Sequence, residues 1–301
     1  MADHKHFDNV CFHFNFLRNI KVHGFYYDSF DSFLSSYPFI RKDHYHNFYS
    51  VLFFQEGNGT LRLDNDTFPV RPQTACLIAP NQLHSFEGLK DARGLVFFFC
   101  EDFYVEEFSF VRLLNIFSCT SRTATSHGSP CIELNHLENG FITDIVKSIC
   151  QEYENYSSSD NSSIIIRSLL NVMLLRLSQL NDEKSGIPVN GKGALIHDLS
   201  RLIDRHFTLE HNISFYSSAF NVSERQLNEL CNRHFRCGLK KILTDRLMQE
   251  ARKLLTYSEL SVSEISYKLN FDDNSYFNKV FRKQTGLTPK RFRDIHKKLV
   301  P

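Results

Sequence analysis

The chain has 301 residues, 42% hydrophobic and 23% charged, with a formal net charge of +1, as expected of a soluble protein of two ordinary domains. The near-neutral total hides an asymmetry. Residues 196–301 hold 19 Lys and Arg against 12 Asp and Glu, while residues 1–195 hold 16 against 22. That balance predicts a polyanionic partner for the last third alone and excludes a uniformly basic or acidic protein.

The opening MADHKHFDNV lacks a charged-then-apolar signal pattern, and apolar runs such as Leu95–Cys100 are too short to span a bilayer. A cytoplasmic location without a membrane partner is therefore expected. Eight cysteines show no CxxC pair and no framework spacing, so they read as reduced, mostly buried thiols. Cys231-x-x-His234-x-x-Cys237 drifts around a helix axis and has no fourth ligand in view, so neither metal nor cofactor is expected there.

Up to about residue 110 the chain is dense in aromatics and alternates on a two-residue period. His46–Phe54, a turn signal at Gln55–Gly59, and Thr60–Leu63 read as a β-hairpin. Phe68–Val70 and Ala75–Ile78 follow as short strands around an Arg71–Gln73 turn. Pro80–Phe86 turns again before a strand at Gly94–Cys100. Many short strands at this spacing predict a jelly roll or barrel.

His44-Tyr45-His46-Asn47-Phe48-Tyr49, the Glu-Gly-x-Gly stretch at 56–59, and Ile78-Ala79-Pro80-x-x-x-His84 resemble the cupin-like sensor domain of AraC/XylS-family transcription regulators. The resemblance implies an effector pocket lined by His44, His46, Phe48 and His84. Metal cupins also carry a His-x-His and a later His, which keeps a metal-dependent cupin enzyme with an appended DNA-binding domain as the alternative. The carboxylate such enzymes place after the second His is missing from positions 47–55, and Glu56 falls in the expected turn. No metal and no catalytic residue is assigned.

Phe110–Leu114 reads as a short helix and Thr120–Pro130 as a polar loop. Leu137–Tyr153 and Ser163–Leu180 have helical periodicity, the second apolar around most of its circumference. By resemblance this helix pair mediates dimerisation, and packing on the barrel of the same chain is the competing reading. Asn181–Gly193 is the clearest linker, and Ala194–Phe207 reads as an amphipathic helix. The expected domains are 1–182 (sensor and dimerisation), 183–193 (linker) and 194–301.

The last domain repeats. Ile213-x-x-Tyr216-Ser217-x-x-Phe220-Asn221-Val222 superimposes on Val262-x-x-Ile265-Ser266-x-x-Leu269-Asn270-Phe271 at an offset of 49. One inserted residue then aligns Leu227-Asn228 with Phe277-Asn278 at an offset of 50. Each copy reads as two short helices around a tight turn, a helix-turn-helix, with Ser223 as the N-cap of the second helix in the first copy. Between the copies, Leu239–Tyr257 reads as one amphipathic helix. Its 19 residues at about 1.5 Å each give roughly 28 Å, close to the approximately 34 Å between successive major grooves on one face of B-DNA. Two grooves can then be read at once.

This pair, its spacer and the ending Phe281-Arg282-Lys283-x-x-Gly286-x-Thr288-Pro289-x-x-Phe292-Arg293 closely resemble the AraC/XylS DNA-binding domain. Asn270 stands where the family usually has Gly, Ser217 and Ser266 where it has Ala, and Arg236 where many relatives have Gly. The resemblance puts base-edge contacts on Arg225, Gln226, Asn228 and Glu229, and on Asn274, Ser275, Asn278 and Lys279. Lys240, Arg282, Lys283 and Lys290 suit phosphate contacts. The expectation is thus an α+β protein, a cupin-like β-barrel (jelly roll) with a helical dimerisation pair, followed by an all-α double helix-turn-helix. It would be a homodimeric, effector-responsive regulator of promoter DNA, with RNA polymerase as partner if it activates.

Overall fold

The computed structural model describes residues 10–120, 129–157, 161–185, 192–235 and 237–296. Two compact units result, residues 1–104 with 116–187 and residues 105–115 with 188–301.

In the first unit β1 (Val10–Phe12), β2 (Phe25–Ser29), β3 (His44–His46), β4 (Tyr49–Leu63), β5 (Asp66–Val70), β6 (Thr74–Ile78), β7 (His84–Phe99) and β8 (Cys131–Glu133) share one sheet. The long strands β4 and β7 organise it. The first half of β4, Tyr49–Phe54, lies between β6 and the end of β7, which goes on to β2. Its second half, from Gly59, lies between β5 and the start of β7, which goes on to β3 and β1. Three register shifts between Phe54 and Thr60 separate the halves. Bulges bend a strand and raise its twist, so both long strands pass from one group of partners to the other.

The hairpin expected at Gln55–Gly59 is therefore not formed; β4 runs straight through it. Gly57 has φ +89, and a Cβ there would lie 2.4 Å from the Ala92 Cα. A Cβ on Gly94 would lie 2.0 Å from the Phe53 oxygen. These glycines permit close approach of β4 and β7 rather than chain reversal. The reversal comes at Asp64 (φ +54), and β7 begins at His84, ten residues before the expected strand at Gly94.

Cys76 on β6 lies opposite Cys131 on β8 and forms a disulfide with it. Expecting every cysteine reduced was wrong for this pair. The two are 55 residues apart, and only the β6–β8 pairing brings them together.

α1 (Phe30–Ser36) lies between β2 and β3 in the chain and α2 (Glu101–Val105) between β7 and β8, while α4 (His136–Glu154) and α5 (Ser162–Ser185) follow the last strand. Asn135 and Glu138 form a capping box at the start of α4. By length and composition α5 could cross a bilayer. Its Ile166, Leu170, Met173, Leu174, Leu177 and Leu180 are instead buried in this unit. Its polar Arg167 donates to the Phe103 oxygen at 2.5 Å, and Asn171 accepts from the Tyr104 hydroxyl at 2.7 Å.

The second unit comprises α3 (Phe110–Ile116, through Asn115), α6 (Lys192–His206), α7 (Ile213–Ala219), α8 (Glu224–Phe235), α9 (Leu239–Tyr257), α10 (Val262–Lys268), α11 (Asn274–Thr285) and α12 (Pro289–His296). Residues 105–115 precede α4 in the chain yet pack here. Val111 is fully buried in this unit's core, and the Ser109 hydroxyl donates to the Asp204 carboxylate at 2.7 Å. Gln249 donates to the Val105 oxygen at 2.6 Å. Helices α5 and α6 reach Ser185 and Lys192, so 186–191 of the linker lie outside the described residues, as do 121–128 of the polar loop and Arg236.

Candidate nucleic-acid interface and ligand cavity

The two sequence copies fold alike. Asn221 and Asn270 both take left-handed backbone, φ +52 and +56, and each sits in the same closing pattern. Val222 N–H donates to the Ser217 oxygen at 3.1 Å and Phe271 N–H to the Ser266 oxygen at 3.0 Å. Asn serves as the hinge because it tolerates this region better than most side chains. Asn270 adds a bond from its side-chain amide to the Leu209 oxygen at 3.0 Å. Ser217 bonds back to the Ser214 oxygen, whereas the hydroxyl of fully buried Ser266 has no partner among the described residues.

The second helix of each copy buries one side and shows the other. Leu227, Cys231 and Phe235 anchor α8, and Phe277 and Phe281 anchor α11. Arg225, Gln226, Glu229, Ser275, Lys279, Arg282 and Lys283 are exposed, as are Lys240 and Lys290 at the starts of α9 and α12. Asn228, Asn274 and Asn278 are half-buried. Ser223 caps α8 through the Gln226 N–H at 3.2 Å, and the Gln226 side-chain oxygen accepts the Ser223 N–H in return at 3.0 Å. Arg225 pairs with Glu229 at 2.9 Å. Asp273 caps α11 through the N–H groups of Ser275 and Tyr276.

Asn228 does not stand open beside them. Its side-chain oxygen accepts the N–H of Leu239, the first residue of α9, at 3.0 Å. The counterpart of Leu239 in the second copy is Pro289, which has no N–H. Asn278 accordingly turns along its own helix and donates to the Asn274 oxygen at 2.8 Å, while Asn274 donates to the Ser263 hydroxyl at 2.9 Å. The repeat alignment held the clue to this split. α9 spans Leu239–Tyr257, 19 residues, as its periodicity predicts, and Thr288 caps α12 by accepting the Arg291 N–H at 3.3 Å.

The sensor-side residues also converge. His44, His46, Phe48 and His84 are all buried. The His44 and His84 rings lie 4.1 Å apart between centroids, His46 and His84 4.7 Å, and Phe48 stacks on His46 at 4.1 Å. His44 and His84 each hydrogen-bond a carbonyl through Nδ1, to Lys42 and Gln82, both at 2.8 Å. A carbonyl only accepts, so Nδ1 carries the proton and Nε2 keeps its lone pair. The His46 Nε2 meets the Ser50 hydroxyl at 3.0 Å, and its buried Nδ1 has no hydrogen-bond partner among the described residues. Burial holds all three below the usual histidine range, His46 at about 3, with the neighbouring imidazoles adding to the shift for His46 and His84.

These rings line a narrow cavity of about 20 Å³, completed mostly by phenylalanines including Phe30, Phe33, Phe86 and Phe98. That is room for about one water. Ser50, the second residue of β4, also lines the cavity. Glu56 stays exposed, 3.7 Å from Arg93. Among the described residues no three His, Cys, Asp or Glu side chains are disposed to hold a metal.

A family model described as a helix-turn-helix domain matches residues 216–295, and one described as an AraC-like ligand binding domain matches residues 35–99. The transcriptional activator RhaS of Enterobacter sp. (strain 638) is 22% identical over 252 residues, covering 83% of this chain and 87% of RhaS. An uncharacterised helix-turn-helix regulator of Bacillus subtilis, YfiF, is 22% identical over 259 residues, covering 84% of this chain and 79% of YfiF. The structure of ToxT from Vibrio cholerae aligns over 91% of this chain and 99% of ToxT, at 12% identity and a TM-score of 0.36.

Proposed function

Because the chain belongs to the AraC/XylS family of transcription regulators, we propose that α8 and α11 enter successive major grooves of promoter DNA, held apart by α9. The observation that carries this reading is the duplicated hinge, Asn221 and Asn270 in the same left-handed turn on either side of a 19-residue helix. Arg225 and Lys279 suit guanine, and Gln226, Asn274 and Asn278 suit adenine, with Ser275 and Glu229 beside them. Lys240, Arg282, Lys283 and Lys290 position the protein on phosphates. Asn228 contributes from the α9 cap rather than from a base edge.

The cavity beside His44, His46, Phe48 and His84 receives a small-molecule effector, with two imidazole lone pairs and the unpartnered His46 Nδ1 to meet it. Its small volume requires the phenylalanine wall to move on binding. The homodimer forms through α4 and α5. Ile164, Ile165, Val172 and Leu175 make an exposed apolar stripe on α5, and Leu137 and Phe141 expose another on α4, more than a monomer usually leaves in water. The protein acts in the cytoplasm as a regulator rather than a catalyst, with RNA polymerase as its partner where it activates.

Selection of binding sites from genomic DNA with the purified protein tests the core of this reading. Enrichment of a two-part site with centres about one helical turn apart is expected. Absence of any enriched fragment, or binding indifferent to salt, would sink it.

A further inference from the structure

Outside the barrel cavity, the first unit carries an open cleft of about 720 Å³, a volume in the range of small-molecule sites. Its walls come from the Phe16–Lys21 stretch, from β2 and α1, and from the last turn of α4. Four tyrosines line it, Tyr26, Tyr27, Tyr37 and Tyr153, beside Arg18, Lys21, Asp28 and Glu154.

The hydrogen bonds among these groups leave a defined pattern facing the cleft. Tyr26 donates its hydroxyl proton to Asp28 at 3.0 Å and Tyr27 donates to Glu154 at 2.6 Å, so both oxygens keep lone pairs for a donor. Tyr153 instead accepts the Lys21 N–H at 3.0 Å, which leaves its own proton to give. The phenols of Tyr26, Tyr27 and Tyr153 are all held above the usual tyrosine range, chiefly by burial, and stay protonated at neutral pH.

The charges are unevenly satisfied. Lys21 pairs with Glu154 at 2.5 Å. Asp28 accepts from the Ser29 N–H at 2.8 Å, from the Ser32 hydroxyl at 3.0 Å and from Tyr26. The guanidinium of Arg18 has no hydrogen-bond or ion-pair partner among the described residues. Among the described residues Arg18 is thus a cleft cation without a carboxylate partner, and beside it the cleft offers aromatic faces with mixed hydroxyl donors and acceptors.

We infer that this cleft binds a small hydroxylated anion of the sugar-acid or sugar-phosphate kind, its acidic group on Arg18 and its hydroxyls on Tyr26, Tyr27 and Tyr153. Arg meets carboxylate and phosphate through two parallel N–H groups, and tyrosines supply rigid contact area with polar tips. The cleft shares Phe16 with the barrel cavity but none of its polar groups, and it does not depend on the DNA-binding reading, which its failure would leave intact.

Calorimetric titration of the full chain tests it, with glucuronate, gluconate, glucose 6-phosphate and ribose 5-phosphate as probes, and glucose and inorganic phosphate as controls. At least one probe should bind one to one and at least tenfold more tightly than either control. Preference for the acids or for the phosphates then identifies the source of the charge. Arg18→Gln, at an exposed position, should weaken binding about tenfold or more, with partial recovery in Arg18→Lys. Tyr153→Phe should weaken it a few-fold while leaving glucose and phosphate controls unchanged. Failure of all four probes overturns the assignment. So does binding that survives Arg18→Gln, including binding that His84→Gln abolishes, which would belong to the barrel cavity.

Discussion

The Asn228 side-chain oxygen accepts the Leu239 N–H at 3.0 Å, while its repeat counterpart Asn278 has Pro289 in the place of Leu239 and bonds to Asn274 instead. One aligned residue therefore has two jobs. Asn228→Ala should cost about 1 kcal/mol of stability in the helical unit, the usual worth of a helix N-terminal cap, with little change in sequence preference. Asn278→Ala should alter preference at one base position and leave stability nearly unchanged. Denaturant melts and a site-variant binding panel on both proteins check this, and equal effects would refute it.

Lys279 and Lys283 lie four residues apart on α11, both exposed, and should fail differently. Lys279→Ala relaxes discrimination at one position by about 1–3 kcal/mol. Lys283→Ala weakens all sites alike and lowers the salt slope by about 0.9, the value of one phosphate contact. Binding isotherms across salt concentrations separate the two.

Ser266 is fully buried and its hydroxyl has no partner. An unsatisfied buried polar group typically costs about 1–3 kcal/mol, so Ser266→Ala should raise the melting temperature of the helical unit. Ser217→Ala should not, because Ser217 bonds to the Ser214 oxygen at 3.1 Å.

The buried histidines make the first unit acid-sensitive. Folding lowers the His46 pKa from 6.5 to about 3 and moves His44 and His84 in the same direction. Below 6.5 the unfolded chain binds protons that the folded chain refuses, so their contribution is complete above pH 6.5 and is lost as pH falls below it, for His46 down to about 3. Each histidine contributes a slope of about 1.4 kcal/mol per pH unit inside its window. Melting temperature measured from pH 7 to pH 4 should fall, and should fall less steeply in His46→Phe.

The Cys76–Cys131 bond closes a loop of 55 residues, which by chain entropy is worth about 4 kcal/mol. Thiol titration of denatured, unreduced protein should count six of the eight cysteines, and reductant should lower the melting temperature of the first unit.

The two helix-turn-helix copies of the second unit were legible in the sequence. Helix periodicity and a cap such as Ser223 are local properties, and the offset of 49 shifting to 50 is read by comparing the chain with itself. The hinge at Asn270 was legible because a left-handed turn needs a residue that tolerates it. The convergence of His44, His46 and His84 was half legible: residues two apart on a strand share a face, but His84 arrives only through its register with His44. Local signals misled where long-range pairing decides. The glycines at 57 and 59 look the same in a hairpin turn and in a bulge, and only the approach of β7 makes them a bulge. No pattern in the chain pairs Cys76 with Cys131, sends residues 105–115 into the helical core, or assembles a cleft from Arg18, Tyr27 and Tyr153. Those were decided by tertiary structure, because each depends on which distant surfaces bury one another, and a contact between distant residues leaves no period in the sequence.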